Sequence, residues 1–304
     1  MKSSHYVGIS FYQGQIQLAE IDHGKKTTLT ALSERSTSLD FTHAAAFSPD
    51  HPQLFTFVYE LEELFKQNRV HTKTISFALP TDPVFINVIP ADATLQGNEL
   101  TSYVHWEFEQ YHPAVPAKEF IITAQPLPLG KKNIKQMFIV AVRKGMVAFL
   151  KRATSELRLQ LHLIDIDQFS SEKALRVNYP EMMKENVALF GIRYGRVDAS
   201  LLKQGEMVDY RGFALDTPEA LKKTILTYLN YLKQKDGVAT PGRIVLHGIE
   251  ITPQTVIAIQ RETAIQTVAL DAVRHLALSK KLYEPFVKES FRFAAAIGLA
   301  LRTQ

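Results

Sequence analysis

Residues 74–113, TISFALPTDPVFINVIPADATLQGNELTSYVHWEFEQYHP, hold the pattern that decides the fold of this chain. Apolar runs at residues 75–79 and 84–89 each end at a proline and have the length of a β-strand. After a polar loop, residues 98–112 place apolar side chains on one side at the helical period, and Pro113 ends the helix. The segment therefore predicts two short strands followed by an amphipathic helix.

Two residues of the predicted helix depart from its pattern. Glu107 falls inside the apolar stripe, where a carboxylate usually lies at the edge or is paired, so we predict a structural role for it. Trp106 is the only tryptophan of the chain and falls among polar residues. It either packs against a neighbouring layer or stays exposed as an anchor for a partner. The pattern leaves both interpretations open.

The rest of the first half predicts a mixed α/β layer. Alternating apolar residues indicate strands, and apolar residues at a helical period indicate helices. Ser170 or Ser171 is the expected cap of a helix that follows the last strand. The other predicted elements are a hairpin at residues 5–21, a strand at 27–33, helices at 53–67 and 145–158, and strands at 119–127, 136–142 and 161–166.

The second half begins like the first. Residues 7–9, VGI, are followed by Gly14 and an alternating strand, and residues 190–192, FGI, are followed by Gly195 and an alternating strand. This self-similarity suggests a duplicated architecture. The polar, proline-containing segment 179–186 separates the two halves and is the expected boundary.

Length, charge and composition exclude several classes of protein. With 304 residues and 46% hydrophobic content, the chain is long enough for two globular domains. It contains no cysteine, so neither a disulfide nor a cysteine-ligated metal site is expected. The net charge of +4 comes in short clusters near acids, which is not typical of a nucleic-acid interface. Because no apolar run approaches a membrane span and no signal peptide is evident, we expect a cytoplasmic protein.

The search for catalytic and metal-binding motifs finds little. His105 and His112 share a helix face, but no third ligand is near in sequence, so solvated side chains are expected and no metal. Asp165 and Asp167 flank Ile166 at a strand end and are compatible with a carboxylate pair, although loop-capping roles are more common there. No nucleophile elbow, phosphate-binding loop or dinucleotide fingerprint is present.

Three stretches together resemble a known family. Residues 79–113, residues 163–169 (LIDIDQF) and residues 294–302 (AAAIGLALR) are similar, in order and spacing, to the PilM family of type IV pilus assembly proteins. That family is related to the cell-division protein FtsA in the actin-like ATPase superfamily.

The resemblance implies a fold and a partner. The fold is α/β, with two RNase H-like domains around a nucleotide cleft, at residues 1–182 and 183–304. The first domain would carry a small inserted α+β subdomain at about residues 80–143. The partner would be the short cytoplasmic tail of a bitopic inner-membrane assembly protein, so that the chain meets the membrane only through this partner.

The chain departs from the family at the positions that would hold the nucleotide. The Asp, Gly and basic residue of the family's first phosphate loop are replaced by Ser10, Tyr12 and Gln17. The second loop has lost its Asp, and the turn under the adenosine is His247-Gly248. A bulky tyrosine where the backbone must approach phosphate, with no carboxylate for Mg²⁺, predicts that neither ATP nor a metal is bound. At the second loop and the adenosine turn, the corresponding positions are Gly191, Arg193 and Gly248.

The sequence therefore predicts a scaffold that recognises a partner and catalyses no reaction. An extended tail is expected to dock between the first domain and the inserted subdomain, with Trp106, Tyr103 and Phe85 as candidate anchors. The alternative is an active actin-like ATPase or sugar kinase with a variant nucleotide site. A third class, a nucleic-acid-binding protein, has only the basic charge in its favour. Self-association is compatible with the sequence.

Overall fold

The computed structural model describes residues 4–12, 14–43, 46–128, 133–235 and 240–303. Its strands are β1 (His5–Tyr12), β2 (Gln15–His23), β3 (Thr27–Ser36), β4 (Thr74–Leu79), β5 (Phe85–Asp92), β6 (Phe120–Pro126), β7 (Ile134–Arg143), β8 (Gln160–Ile166), β9 (Asn186–Arg193), β10 (Gly195–Lys203), β11 (Glu206–Leu215), β12 (Arg243–Gly248), β13 (Gln266–Ala269) and β14 (Ala277–Leu278). Its helices are α1 (Leu54–Asn68), α2 (Gly97–Tyr111), α3 (Lys144–Glu156), α4 (Asp167–Asn178), α5 (Leu221–Gln234), α6 (Pro253–Thr263), α7 (Glu284–Lys288) and α8 (Ala294–Ala300).

These elements confirm the strands and helices predicted from the first half, with ends that differ by a few residues. They also confirm the two strands and the helix predicted for residues 74–113, and the helix ends at Tyr111, just before Pro113. Among the described residues, no helix combines the length and the apolar character that crossing a membrane requires.

The first sheet has the strand order β14-β3-β2-β1-β4-β8. Strands β1, β2 and β3 form an antiparallel meander, and β4 and β8 continue the sheet parallel to β1. Helices α1 and α3 cover one face with an aromatic core that includes Phe11, Phe57, Phe77 and Phe149. Helices α4 and α8 lie against the opposite side of the sheet, and α8 contacts β1, β2 and β4. A side chain at Gly8 would clash with the backbone of α8, so only glycine allows this approach.

The second sheet repeats the order of the first. Its strands run β11-β10-β9-β12-β13, again an antiparallel meander followed by two parallel strands. The order β3-β2-β1-β4-β8 of the first sheet corresponds to it strand by strand. The duplicated architecture inferred from the paired sequence motifs is therefore confirmed. One face of the second sheet has a core of its own, under α5 and α6, whereas the other face shares a core with the first sheet and α8.

A third, antiparallel sheet with the order β5-β7-β6 lies between β4 and α3 in the sequence. Alternate residues of its central strand point to opposite faces. Met137 and Ile139 pack with Val104 of α2, whereas Phe138 packs with Phe169 and Tyr210 on the other face. The sheet therefore has a helix on one side and the rest of the protein on the other.

The end of the chain returns to the first sheet. Strand β14 pairs with β3, and α8 packs against α4 and β1. His23 Nε2 lies 3.0 Å from the Ala300 carbonyl oxygen, and Arg292 forms an ion pair with Glu34 at 3.1 Å. The predicted boundary after residue 182 stays a prediction, but residues 277–278 and 294–300, which it assigns to the second domain, are packed with the first.

The predicted cap of α4 is wrong. The helix begins at Asp167, so Ser170 and Ser171 lie inside it and are buried. Asp167 takes the terminal position because a carboxylate there interacts favourably with the free N–H groups, and its Oδ1 accepts a hydrogen bond from Gln168 N at 2.6 Å. The Ser171 hydroxyl donates back to the Asp167 carbonyl at 2.8 Å.

Candidate functional site

The positions predicted to have lost nucleotide contacts come together in space. They line one cavity between the first and second sheets, although about half of the chain separates them. Gln17 is one strand away, and its Oε1 accepts a hydrogen bond from Ser10 Oγ at 3.1 Å. The predicted positions that line the cavity are Ser10, Tyr12, Gly191, Arg193 and Gly248.

This cleft is filled by side chains. The cavity that these positions line together measures about 10 Å³, and a second cavity, which is also bordered by Tyr12 and Arg193, measures about 160 Å³. A water molecule needs roughly 10–15 Å³ of such space, and pockets for small ligands typically have about 300–1,000 Å³. The cleft in this arrangement has no room for a nucleotide.

A buried arginine occupies the centre of the cleft. The guanidinium of Arg193, on β9, contacts the carboxylates of Asp167 and Asp198 and the hydroxyl of Thr81. Thr81 donates its own proton to Asp198 Oδ2 at 2.6 Å, and Asp82 lies 3.7 Å from the guanidinium. One cation thus faces three carboxylates, so the expectation that the cleft offers no carboxylate is wrong, and a metal ion here would have to displace Arg193. No group of three or more histidine and acidic side chains that could hold a metal occurs in the described part of the chain.

The electrostatics of the cleft follow from its burial. Burial raises the pKa of Asp167 to about 7, although Arg193 opposes the shift. Burial would also raise the pKa of Asp198, but Arg193, Arg196 and hydrogen bonds from Thr81 and Tyr210 hold it below its usual value. The charges of Arg193 and Asp198 therefore depend on each other.

Tyr12 closes the cleft from the first sheet. Its hydroxyl donates a hydrogen bond to the carbonyl of Ile192, and burial raises its pKa above the usual range, so it remains a donor. Gly248 lies beside this contact with φ of +106°, and a side chain there would clash with the Ile192 carbonyl oxygen. Only glycine allows the backbones of β12 and β9 to meet the tyrosine so closely.

A neutral histidine, His247, also lines the cleft. His247 Nε2 lies 2.9 Å from Gln168 Oε1, while Gln168 Nε2 donates to Ser200 Oγ at 3.0 Å and to the Leu189 carbonyl at 3.3 Å. Because a carbonyl only accepts, these contacts fix the glutamine amide, and His247 must donate from Nε2. Burial, assisted by the charge of Arg193, lowers the pKa of His247 to about 3.

Asp165 and Asp167, whose spacing is compatible with a carboxylate pair, do not form one. Asp167 faces the cleft, whereas Asp165 Oδ2 accepts a hydrogen bond from Ser170 Oγ at 2.9 Å and forms an ion pair with Arg302 Nη2 at 2.8 Å. The strand ends at Ile166 and α4 starts at the next residue, so the two carboxylates do not share a strand face.

A much larger cavity, of about 760 Å³, lies on the other side of α4. We call it the groove. Strands β6 and β7 form one wall, β8 and α4 form the other, and the turn between β10 and β11 closes one end. Its apolar lining includes Ile121, Phe138, Val140, Ile164, Phe169 and Met207.

The groove also has a charged part. Asp165, Glu172, Arg176 and Arg302 line it, and Arg176 Nη2 donates to Glu172 Oε2 at 3.1 Å. Burial raises the pKa of Glu172 to about 7, although Arg176 opposes the shift. Among the described residues, the buried Nε atoms of Arg176 and Arg302 have no hydrogen-bond acceptor. The groove therefore combines an apolar floor with a charged part.

The chain matches a family model over residues 8–216, and that model describes the type IV pilus assembly protein PilM. The chain belongs to the PilM family. This confirms the family resemblance found in the sequence. No curated protein sequence matches this PilM-family chain significantly.

Several solved structures are similar to this PilM-family protein. The PilM–PilN type IV pilus biogenesis complex is 18% identical, with a TM-score of 0.79 over 98% of each chain. A Bacteroides thetaiotaomicron protein with an actin-like ATPase fold and unknown function is 12% identical, with a TM-score of 0.53 over 97% of this chain and 95% of that one. The cytoplasmic domain of EpsL, an inner-membrane component of the Vibrio cholerae type II secretion system, is 9% identical, with a TM-score of 0.51 over 96% of this chain and 94% of that one. The predicted α/β actin-like ATPase fold is thereby confirmed.

The three predicted anchors of the PilM-family protein do not line the groove. Trp106 and Tyr103 belong to α2, which covers the opposite face of the third sheet, and Phe85 packs on that same face against Phe108 and Tyr111. Trp106 is 55% exposed and so is not held by a neighbouring layer. That these residues bind a partner stays a prediction, but they belong to a different surface from the groove.

Glu107 is paired, as predicted from its place in the apolar stripe. The Tyr103 hydroxyl lies 2.6 Å from Glu107 Oε1 and 2.8 Å from the Pro90 carbonyl oxygen. Partial burial and the nearby carboxylate raise the pKa of Tyr103 to about 12. The single hydroxyl proton of Tyr103 can be donated to only one of these two acceptors at a time, and the contact with Pro90 of β5 is the one that joins α2 to the third sheet.

Sequence reasoning placed the docking site between the first domain and residues 80–143, where the groove of this PilM-family protein lies, but it did not identify the residues that line it. The sequence signal was in β6, which is rich in apolar and β-branched residues, and the structure shows that its residues 121–126 are mostly exposed. An exposed strand with this composition indicates a free sheet edge. The order β5-β7-β6, which makes β6 an edge, was needed to recognise it.

Proposed function

We propose that this protein is a non-catalytic scaffold of a type IV pilus or related secretion assembly, which binds an extended tail of a membrane-protein partner in the groove. One observation carries the proposal: the nucleotide cleft is filled by side chains while a groove of about 760 Å³ stands open beside it. The space for a ligand is at the groove.

The contacts in the cleft support the proposal that the protein catalyses no reaction. Arg193 places a positive charge where a nucleotide's metal would have to lie, and Tyr12 covers the backbone that phosphate would approach. Thermal denaturation with and without Mg-ATP tests this part. We expect no shift of the melting temperature at millimolar Mg-ATP, because a ligand stabilises only a protein that it binds. A clear rise, with hydrolysis above background, would favour the active ATPase or sugar kinase instead.

The groove supports recognition of an extended chain. It lies between two sheet edges, since β6 ends the third sheet and β8 ends the first. Leu127 N donates to the Gln136 carbonyl at 2.8 Å, and in an antiparallel pair such bonds alternate. The main-chain groups of Ile122 and Ala124 therefore point away from β7. An added strand could pair with them.

The charged part of the groove supports a polypeptide as the ligand. The side chains of Arg176 and Arg302 line the groove and are 39% and 31% exposed, so their guanidinium groups can donate hydrogen bonds to a peptide carbonyl. The apolar floor would take alternate side chains of the same segment. Together these features match an extended peptide with apolar side chains better than a small charged metabolite.

The relatives suggest the class of partner. One similar structure is the PilM–PilN complex, and another is a cytoplasmic domain of an inner-membrane secretion component. A PilN-like membrane protein is therefore the first candidate. This proposal places the chain on the cytoplasmic side of the inner membrane, held there by its partner, with an inserted subdomain at about residues 80–143 forming one wall of the groove.

Calorimetry with synthetic tails of PilN-like proteins from the same genome tests the proposal. Thr123→Arg places a long side chain into the groove from an exposed position on β6, so it should abolish binding without unfolding the protein. Trp106→Ala is the matched control on the opposite face. If Trp106→Ala abolishes binding and Thr123→Arg does not, the tail docks on α2. If no tail binds the unaltered protein, the proposal is wrong.

A further inference from the structure

The contacts in the cleft join the two halves of the molecule. Arg193 and Asp198 belong to the second sheet, whereas Thr81 follows β4 and Asp167 begins α4. The contacts between them and the hydrogen bond from Tyr12 to the Ile192 carbonyl all cross from one half to the other. We call this set the lock; its residues are Tyr12, Thr81, Asp167, Arg193 and Asp198.

The lock is complete without a ligand. Every carboxylate oxygen of Asp198 has a donor: Oδ2 accepts from Arg193 and Thr81, and Oδ1 accepts from Arg196 at 3.0 Å and Tyr210 at 2.6 Å. A buried charge network is favourable only when its members are satisfied in this way. The remaining cavity of about 10 Å³ leaves no polar space that a nucleotide would need to fill.

Tyr210 connects the lock to the lining of the groove, in addition to α4, which begins at Asp167 and forms one wall. Tyr210, on β11, donates its hydroxyl to Asp198, while its ring packs against Phe138 at 5.9 Å and Phe169 at 5.5 Å between centroids. Phe138 and Phe169 form part of the groove lining. The turn that closes the groove, at residues 205–207, belongs to the second half. Both halves must therefore be held together for the groove to keep its shape.

We propose that Arg193 is a built-in cation that holds the two halves closed without nucleotide, and that this closure keeps the groove formed. Closure of the two halves by Arg193 does not depend on what the groove binds. The effect of closure on partner binding rests on the proposed function. Arg193 and Tyr210 are then positioning residues for partner binding, although neither lines the groove.

Hydrogen exchange of the full chain without ligand tests closure. The variants are Tyr12→Phe, which loses only the hydroxyl bond, and Arg193→Gln, which loses the cation. Both should make the amides of residues 79–84 and 190–198 exchange faster, by about tenfold or more for Arg193→Gln. The control Arg243→Gln removes a partly exposed ion pair of the same sheet and should leave these segments unchanged.

Two results would overturn closure by the lock. One is unchanged exchange of the cleft segments in both lock variants. The other is added protection of these segments when Mg-ATP binds the unaltered protein, because the cleft would then be closed by nucleotide. If Arg193→Gln does not fold, hydrogen exchange of Tyr12→Phe alone tests closure, because this variant leaves all charges of the lock paired.

Peptide binding tests the second part. Tyr210→Phe keeps the ring between Phe138 and Phe169 and removes the hydroxyl, with its hydrogen bonds to Asp198 and from Arg196. It should therefore both loosen residues 190–198 and weaken binding of the PilN-like tail by about threefold or more. A variant that loosens the cleft with unchanged tail affinity would show that the groove does not depend on the lock. If the unaltered protein binds no tail, the proposed function fails while the exchange experiment still decides closure.

Discussion

The guanidinium of Arg193 on β9 forms a buried ion pair with the carboxylate of Asp167, the first residue of α4. This pair joins the second sheet to the helix that leads out of the first. Burying two charges is costly unless each is also hydrogen-bonded, and here Thr81, Asp198 and Gln168 supply the remaining contacts. The cleft of this PilM-family protein is thus a satisfied charge network.

Removing the cation should destabilise the protein strongly. We expect Arg193→Gln to lower the free energy of unfolding by about 3–5 kcal/mol, because Asp167 is then buried without a counter-charge and Asp198 keeps only Arg196. Urea denaturation followed by circular dichroism measures the effect. The control Arg243→Gln breaks a partly exposed pair with Glu185 and should cost less than about 1 kcal/mol. Equal costs for the two variants would show that the network contributes little to stability.

Gly248 and Gly195 offer a matched pair for the backbone of the cleft. Both have positive φ, +106° and +71°, but a side chain at Gly248 meets the Ile192 carbonyl and Tyr12, whereas one at Gly195 meets nothing within 4 Å. Gly195→Ala should cost about 1–2 kcal/mol, the usual penalty for this backbone region. Gly248→Ala should cost clearly more because β9 or Tyr12 must also move. Thermal denaturation ranks the two, and similar melting temperatures would contradict the close approach.

The buried neutral His247 predicts a response to acid. Its folded pKa of about 3 lies below the ordinary value of 6.5, so the unfolded chain takes up a proton between these values and the folded chain does not. The stability that neutral His247 contributes is therefore present above pH 6.5 and is lost as the pH falls towards 3. Between pH 7 and 5 the unaltered protein should lose about 2 kcal/mol more than His247→Gln.

Urea denaturation at both pH values measures this difference. Asp167, whose pKa is raised, acts in the opposite sense in an overlapping range, but it is present in both proteins and largely cancels. His105→Gln, at an exposed position of α2, is the control and should show the pH dependence of the unaltered protein. A parallel pH dependence for His247→Gln would mean that His247 is protonated in the folded state.

On α2, Trp106 lies at the surface and Phe108 lies in the core. Trp106 is 55% exposed and Phe108 is fully buried against Phe85 and Phe120. Trp106→Ala should change the free energy of unfolding by no more than about 0.5 kcal/mol, whereas Phe108→Ala should cost about 3–5 kcal/mol. Chemical denaturation compares them. A large cost for Trp106→Ala would assign this residue to the packing of the third sheet and remove the reason to regard it as a partner anchor.

The sequence alone determined the local structure and the family. Periods of two and of about 3.6 residues are properties of a single segment, so the strands, the helices and the repeated opening of the two halves were predictable. The replaced residues Ser10, Tyr12 and Gln17 were visible for the same reason, because a motif is read at fixed spacing.

Only the tertiary structure decided where function can reside. No local pattern shows that Arg193 meets Asp167 and Asp198, since these contacts join different sheets and depend on how the halves pack. A helical period also does not show which face of the third sheet α2 covers. Because α2 packs on the face of Met137 and Ile139, Trp106 lies on that side of the sheet and the groove lies on the other. The order of strands, which makes β6 and β8 edges, arises from long-range pairing. The filled cleft and the open groove are therefore properties of the packed chain.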